Sequence, residues 1–167
     1  MDRIKEIVNE LKQKDYSSFD EFYHLTIKLV HYMISNIIKQ KEQVEDLIQD
    51  TYLKFIENID SISASKNPTA YLAQIARNSA INAFNKNKRI INDSEYFSNL
   101  AEEKPIDAKV DLSILDYLNE TEKEIVALKI IGDLKFKDIA NIVNKPLGTV
   151  LWIYNKAIKN LKKKVGE

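Results

Sequence analysis

The stretch that decides the fold covers residues 136–163 and reads FKDIANIVNKPLGTVLWIYNKAIKNLKK. Its apolar residues recur at helical spacing on both sides of a short polar turn at residues 144–146. The spacing predicts a short helix over residues 136–143 and a longer one from Leu147 to about Lys164. Two helices joined by a turn of about three or four residues have the dimensions of a helix-turn-helix.

The inner face of this predicted helix pair is apolar, and the small Ala140 lies where a bulky residue would push the helices apart. The residues predicted to line that face are Ile139, Ala140, Val143, Val150, Tyr154, Ala157, Ile158 and Leu161. A basic strip suited to phosphates follows, formed by Lys156, Lys159, Lys162, Lys163 and Lys164. A three-helix bundle that binds no DNA fits this pattern too, because lysines at a helix C-terminus also complement the helix dipole.

The composition of the whole chain favours helices. It has 167 residues, of which 44% are hydrophobic and 30% are charged, but only three are Gly and three are Pro. Because few residues are suited to tight turns, many short strands would be hard to connect. We therefore predict an all-α protein with enough apolar residues for buried cores.

Cysteine usage and hydropathy exclude several kinds of site and of protein. The chain has no Cys, which excludes disulfides, thiol catalysis and thiolate metal sites. The N-terminus is amphipathic and carries acidic residues, and no apolar run approaches the roughly 20 residues that a membrane span needs. We expect a cytoplasmic protein without membrane insertion.

Four helices are predicted in the first half of the chain, over about residues 2–14, 19–38, 42–59 and 68–89. Ser18 and Glu21 have the spacing of a capping box at the start of the second helix, which is apolar on so many sides that we expect it at the centre. Asn67 is the predicted cap of the fourth helix, with Pro68 in its first turn.

The helical pattern fades between Asn92 and about Asp111. Residues 93–112 contain six acidic and two basic residues, so this segment is acidic. Helices resume with a second capping box, Asn119 with Glu122, in a helix predicted to stop at Gly132. The net charge of the chain is zero, from 25 basic and 25 acidic residues, so its uneven distribution is more informative than its sum.

This pattern predicts two small helical domains joined by a linker, the C-terminal domain being the helix-turn-helix. The predicted segments are a helical domain over 1–91, an acidic linker over 92–111 and a helix-turn-helix domain over 112–167.

A polar row follows one side of the third predicted helix. It consists of Glu42, Glu45, Asp46, Gln49, Asp50 and Glu57, with Leu53 exposed among them. Such a row is often only a solvated face. If it has a function, its partner is a basic or polar protein surface, because carboxylates repel the phosphates of DNA.

An amide row occupies one side of the fourth predicted helix. Asn78, Asn82, Asn85 and Arg89 follow i, i+4, i+7, i+11 spacing, and Lys86 and Lys88 flank the end of the row. Amides that read nucleic-acid bases would explain the row, because Asn is a modest helix former. A bias toward Asn, Lys and Ile in proteins encoded by AT-rich DNA would explain it as well.

No candidate for catalysis or for a cofactor emerges. His24 and His31 can share a helix face, but no third metal ligand is evident, so we expect packing or surface histidines and no metal site. Nothing resembles a Gly-rich phosphate loop or a nucleophile paired with a base. We therefore expect a binding protein without a cofactor, and not an enzyme.

Several runs together resemble the sigma-70 family of bacterial sigma factors, in particular the small extracytoplasmic-function type with two domains. Residues 44–55, VEDLIQDTYLKF, resemble the polymerase-binding helix, and 68–89 resemble the helix that recognises and melts the promoter. Residues 118–125, LNETEKEI, and 139–150 resemble the second sigma domain with its helix-turn-helix. The likeness covers nearly all of residues 19–161.

The resemblance implies a sigma factor that binds core RNA polymerase and directs promoter recognition, DNA melting and transcription initiation. On this basis Asp46, Gln49, Asp50 and Leu53 dock on the coiled coil of the polymerase clamp. It also implies an anti-sigma factor as a partner. Two other hypotheses remain open: a sigma-like regulator that binds duplex DNA without polymerase, and a protein-interaction adaptor.

The resemblance also assigns the DNA contacts. At the minus 10 element, Asn78 and Asn82 with the loop at residues 62–67 would hold unpaired bases of the non-template strand. The phosphates nearby would be neutralised by Arg77, Lys86, Lys88 and Arg89. At the minus 35 element, Lys156 and Lys159 would bind duplex DNA, with Gly148 and Thr149 near the backbone at the start of the recognition helix.

The chain departs from its relatives after Gly-Thr-Val, where it has Leu151-Trp152-Ile153 in place of a Lys-Ser-Arg type of run. Direct readout of guanine by Arg is therefore not available at this position. Trp152 has three possible roles: contact with thymine methyl groups, packing inside its own domain, and contact with another protein. Asn85 and Tyr71 stand where relatives commonly have Arg and Trp.

Overall fold

The structure, a computed structural model, describes residues 2–93 and 112–166. The chain divides into two compact units, Met1–Lys104 and Pro105–Glu167. Every regular element in the described residues is helical, which confirms the all-α prediction. Most of the predicted linker lies outside the described residues, so the proposed domain limits remain a prediction.

The first unit contains four helices, close to the predicted ones. They are α1 (Asp2–Lys12), α2 (Phe19–Ser35), α3 (Lys41–Glu57) and α4 (Pro68–Asp93), with a single 3-10 turn at Ile59–Ser61 between α3 and α4. Two helices share the central position, because α2 and α4 each pack against the other three. The central position predicted for α2 is therefore confirmed, and α4 shares it.

Aromatic residues form much of the core between α2 and α3. The rings of Phe22 and Phe55 are both fully buried and stack with centroids 5.1 Å apart. Beside them the hydroxyls of Thr26 and Tyr52 are hydrogen-bonded at 2.8 Å. Tyr71 of α4 packs against Phe55 with ring centroids 6.0 Å apart. The three helices therefore share one aromatic cluster, which fixes α3 and α4 side by side.

The start of α2 differs from the prediction. The Ser18 side chain makes no capping hydrogen bond. Glu21 instead accepts two hydrogen bonds from the Arg3 guanidinium, at 2.8 and 2.9 Å, and this guanidinium also pairs with Glu6 and Glu10. The capping-box prediction is wrong because Arg3 of α1 competes for the Glu21 carboxylate. The same contact ties α1 to the start of α2.

The predicted cap of α4 is confirmed. The Asn67 side-chain oxygen accepts hydrogen bonds from the backbone amides of Thr69 and Ala70, at 2.9 and 3.4 Å. Pro68 occupies the first position of the helix, where no backbone donor is needed. The helix continues to Asp93, four residues beyond its predicted end.

The second unit contains a 3-10 segment at Leu112–Tyr117 and three helices. These are α5 (Glu120–Ile130), α6 (Phe136–Val143) and α7 (Leu147–Val165), and each of them packs against the other two. The core is apolar, with Ile125, Leu128, Ile139, Val150 and Ala157 fully buried. All eight residues predicted for the inner face are buried or half-buried, and Ala140 lies among them.

The predictions for the two ends of α5 differ in how closely they match the structure. Asn119 and Glu122 form the predicted capping box, with each side chain bonded to the other residue's backbone amide. The predicted stop at Gly132 is only approximate, because α5 ends at Ile130 and the left-handed residue after it is Asp133, with φ of 49°. At the end of α6, Asn144 adopts φ of 54°, which turns the chain toward α7.

Candidate functional site

The polar row of α3 faces solvent. Asp46 and Gln49 are exposed, and the Leu53 side chain between them and the helix end is 61% exposed. The opposite side of the helix packs into the core through Val44, Ile48, Thr51, Tyr52 and Phe55. Asp46, Gln49, Asp50 and Leu53 are spaced i, i+3, i+4, i+7, so they form one continuous surface, which we call the acidic surface.

Asp50 differs from the other members of the acidic surface. Its side chain is 47% exposed, and its carboxylate pairs with the Lys54 ammonium at 2.9 Å. An exposed i, i+4 pair contributes at most about 0.5 kcal/mol, so a basic partner can displace Lys54 at small cost. The acidic surface therefore combines two acceptor side chains, an exchangeable carboxylate and an exposed Leu, which suits a protein partner with basic and apolar groups.

The amide row of α4 is also open to solvent. Asn78, Asn82 and Asn85 are all exposed. The opposite face is the packing face, with Leu72, Ala76 and Ala80 fully buried. Because these amides lie on the side of the helix away from the core, they can donate hydrogen bonds to base edges and accept hydrogen bonds from them.

The basic residues predicted to contact phosphates are not equivalent. Lys86, Lys88 and Arg89 are exposed in the last three turns of α4. Arg77 is half-buried and already has an interaction partner. The three exposed residues are therefore better placed than Arg77 to bind phosphates.

The loop at residues 62–67 is anchored at its first residue. Ile62 is buried, and its carbonyl oxygen accepts a hydrogen bond from the Lys12 ammonium of α1. Residues 63–66 are exposed. A crevice of about 60 Å³ opens between this loop and α1, and three of its lining residues are Lys5, Lys12 and Lys66. The loop therefore has a fixed base, an exposed tip and basic surroundings.

The predicted duplex-binding residues lie on the surface of the helix-turn-helix. Gly148, Thr149, Trp152, Lys156 and Lys159 are all exposed on α7. A Cβ atom added to Gly148 would meet no atom within 4 Å, so the fold itself does not require glycine there. That open space leaves room for close approach by a ligand backbone.

The position of Trp152 excludes one of its three predicted roles. Its side chain is 63% exposed, so it does not pack inside its own domain. The Lys156 ammonium lies 5.1 Å from the centroid of the Trp152 ring and 4.0 Å from a carboxylate oxygen of Glu122. Lys156 is therefore held by two neighbours, whereas Lys159 forms no ion pair within residues 112–166.

Two exposed residues were missed by the sequence analysis. Phe84 of α4 is 49% exposed and lies one turn before Lys88, an arrangement that suits stacking on a base beside a phosphate. Asn155 of α7 is exposed three residues after Trp152. Helical spacing from Gly148 and Trp152 could have found Asn155, whereas the exposure of an aromatic residue such as Phe84 depends on how the helices pack.

The histidines and the hydropathy of the helices point to no further site in the described residues. His24 is exposed and His31 is half-buried, and burial lowers the pKa of His31 below its usual 6.5. Over residues 2–93 and 112–166 no group of three or more His, Asp or Glu side chains has a geometry that could hold a metal ion. None of the helices in these ranges combines the length and apolar character that crossing a membrane requires.

Comparisons with known proteins match the sequence across both units. The Sigma-70 region 2 family model matches residues 22–90. The ECF RNA polymerase sigma factor SigM of Bacillus subtilis (strain 168) is 25% identical over 135 residues, covering 76% of this chain and 82% of SigM. The ECF RNA polymerase sigma factor SigW of the same organism is 22% identical over 180 residues, covering 97% of this chain and 96% of SigW.

Two solved structures share the fold. The sigma factor RpoE of Bartonella quintana, crystallised with the anti-sigma factor NepR, has a TM-score of 0.69 at 23% identity and covers 89% of this chain and 96% of RpoE. CnrH, solved with the cytosolic domain of CnrY, has a TM-score of 0.64 at 13% identity and covers 97% of this chain and 96% of CnrH. At these identities the likeness bears on the fold alone.

Proposed function

We propose that this chain, which belongs to the sigma-70 family and to its extracytoplasmic-function type, binds core RNA polymerase in the cytoplasm and directs it to promoter DNA. One observation carries the proposal: neighbouring helices of the first unit expose two surfaces of different chemistry. The acidic surface of α3 suits a protein, and the amide row of α4 suits unpaired bases. The proposal assigns binding to the chain and no chemical step.

The acidic surface is the proposed contact with polymerase. Carboxylates are unsuited to DNA because phosphates repel them, whereas a basic or polar protein surface attracts them. Leu53 adds an exposed apolar contact one turn after these hydrogen-bonding groups, and protein interfaces usually combine both kinds of contact. Asp46 and Gln49 would bind directly, and Asp50 would exchange Lys54 for a group of the polymerase.

The amide row and the loop at residues 62–67 are the proposed contacts with the melted minus 10 element. Opening duplex DNA costs about 1.4 kcal/mol per base-pair step in lost stacking. Asn78 and Asn82 can offset that cost by hydrogen bonding to bases that have left the helix. Lys86, Lys88 and Arg89 would hold the phosphates of the same strand. The lysines beside the loop, Lys5, Lys12 and Lys66, would attract the next phosphates along that strand.

The exposed side of α7 is the proposed contact with the minus 35 element. Gly148 and Thr149 lie at the start of the helix, where backbone amides can approach a phosphate. Lys156 and Lys159 follow on the same helix and would bind further phosphates. An anti-sigma factor is a further proposed partner, because RpoE and CnrH were each solved with another protein, in the case of RpoE an anti-sigma factor.

Run-off transcription with purified core polymerase tests the proposal. We expect the full chain to bind core polymerase and to direct transcripts from promoters selected from random DNA by the reconstituted holoenzyme. A folded chain that does not bind core polymerase would refute the proposal. Specific duplex binding by the chain alone, with a two-fold symmetric footprint, would instead indicate a polymerase-independent regulator.

A further inference from the structure

The outward face of α7 carries an apolar and an amide side chain next to each other. Gly148, Trp152, Asn155 and Lys159 are spaced i, i+4, i+7, i+11, so they lie in one row along the helix, and all four are exposed. Val150, Ala157 and Leu161 point the opposite way, into the core of the unit. We call the row of four residues the reading face.

Three large apolar side chains are exposed on or beside the reading face. Trp152 is 63% exposed, and Leu147 and Leu151 in the same two turns are 45% and 36% exposed. A contiguous group of exposed apolar side chains rimmed by polar residues marks a binding surface, whereas a single one does not. The ring of Trp152 is also held in place, because the Lys156 ammonium lies over it at 5.1 Å.

The charge around the reading face favours DNA over protein as its partner. Lys156, Lys159, Lys162 and Lys163 follow Trp152 on the same helix, and all are exposed. A strip of lysines complements the phosphates on either side of a groove, and the second helix of a helix-turn-helix is the element that enters the major groove. A protein partner would have to supply an acidic surface with an apolar pocket to match.

We propose that Trp152 and Asn155 read A·T base pairs of the minus 35 element in the major groove, an inference that rests on the proposed function. The Trp152 ring contacts the C5 methyl group of thymine. The Asn155 amide donates a hydrogen bond to adenine N7 and accepts one from adenine N6. Lys159 binds phosphate and contributes affinity without sequence preference.

The residues available on α7 explain why the reading is directed to A·T pairs. The helix contains no Arg to recognise guanine, and the proposal assigns Lys159, the lysine of the reading face, to phosphate. Cytosine has no C5 methyl group, so a G·C pair offers the Trp152 ring nothing to contact. An Asn amide matches the donor and acceptor pattern of adenine and does not match that of guanine.

Base analogues test each contact separately on a duplex that contains the minus 35 element selected by the holoenzyme. Deoxyuridine in place of thymidine removes the methyl group, and 7-deazaadenine in place of adenine removes N7. For the wild-type holoenzyme we expect about a fourfold loss of affinity for the critical methyl group. For the critical N7 we expect about a fivefold loss.

The variants W152A and N155A are expected to become insensitive to one analogue each. W152A should bind thymidine and deoxyuridine duplexes equally, while it still distinguishes adenine from 7-deazaadenine. N155A should show the reverse. The matched control K159A should bind all duplexes more weakly and remain sensitive to both analogues. Because all three side chains are exposed, the variants should fold, and circular dichroism checks this directly.

Two results would overturn the proposal. One is unchanged sensitivity to both analogues in W152A and N155A, and the other is a wild-type holoenzyme that is indifferent to both. Loss of core binding in W152A with unchanged sensitivity would assign the ring to a protein contact instead. Core binding is measured in a separate titration without DNA, so a failure of the proposed function is distinguishable from a failure of this reading scheme.

Discussion

The side-chain amides of Gln43 and Asn87 form two hydrogen bonds with each other, at 2.8 and 3.3 Å, across 44 residues of sequence. Gln43 lies in the first turn of α3 and Asn87 near the end of α4, so the two helices run antiparallel. The pair joins the beginning of α3, which carries the acidic surface, to the part of α4 that carries Lys86, Lys88 and Arg89. It thereby fixes the spacing between the two proposed binding surfaces.

We expect Asn87→Ala and Gln43→Ala each to lower the free energy of unfolding by about 1 kcal/mol, because each leaves the other amide without its partner. The double variant should lose less than the sum, and urea unfolding measures this coupling. Asn85→Ala is the matched control, since it changes the same residue type on an exposed face of the same helix. Strict additivity of the two changes would contradict a direct interaction.

The acidic surface predicts a specific defect in polymerase binding. Asp46→Ala combined with Gln49→Ala should lower affinity for core polymerase by about tenfold or more, since the minority of interface residues that carry the binding energy contribute over about 1 kcal/mol each. Fluorescence anisotropy of the labelled chain measures it. Asp20→Ala, which removes an exposed carboxylate from α2, should leave the affinity unchanged. Equal affinities of the double variant and the wild type would place the polymerase contact elsewhere.

The amide row predicts a defect in DNA opening. Asn78→Ala combined with Asn82→Ala should reduce open-complex formation on duplex promoters by about tenfold or more, because hydrogen bonds that offset the melting cost are lost. Permanganate footprinting of unpaired thymines follows the opening. Binding to core polymerase should be unchanged, and so should the behaviour of the control Asn141→Ala, an exposed amide on α6.

A template with mismatches across the minus 10 element distinguishes the reason for that defect. Because such a template is already open, the double variant should recover part of its activity there. An identical defect on duplex and mismatched templates would show that the two amides do not contribute to melting.

Substitution should have different effects at the two predicted capping boxes, because only the second is formed. Asn119→Ala should lower the free energy of unfolding of the second unit by about 1 kcal/mol, because the backbone amide of Glu122 loses the side-chain oxygen that caps the helix. Ser18→Ala should have little effect, since the Ser18 side chain does not cap α2. Thermal unfolding followed by circular dichroism compares the two. A similar loss in both variants would contradict the different roles seen in the structure.

This contrast shows how far the sequence could predict the molecule. Helix positions followed from apolar spacing, because periodicity is a local property that packing then reinforces. The exposure of Asp46, Gln49, Asn78 and Asn82 followed from the same spacing. Caps were less predictable, because Ser18 and Asn119 have equivalent local patterns and only a distant Arg3 removes Glu21 from the first.

Apolar packing faces could be predicted from the sequence, but particular polar contacts between helices could not. The amide pair that joins α3 to α4 depends on the antiparallel packing of those helices. The position of Lys156 between Trp152 and Glu122 depends on how α5 packs against α7. The exposure of Trp152 was left open by the sequence, because an aromatic residue in an amphipathic helix fits a core as well as a surface.

The partial burial of His31 predicts that the protein loses stability in mildly acidic solution. Burial in α2 lowers its pKa below the usual 6.5, so the unfolded chain takes up a proton more readily than the folded one. The contribution of neutral His31 is therefore complete above pH 6.5 and is lost as the pH falls through its folded pKa. Between about pH 7.5 and 5.5 the wild type should become less stable, and His31→Gln should lose most of this slope. Urea unfolding of both proteins at each pH measures this slope. A His31→Gln variant with the full wild-type slope would place the titrating group elsewhere.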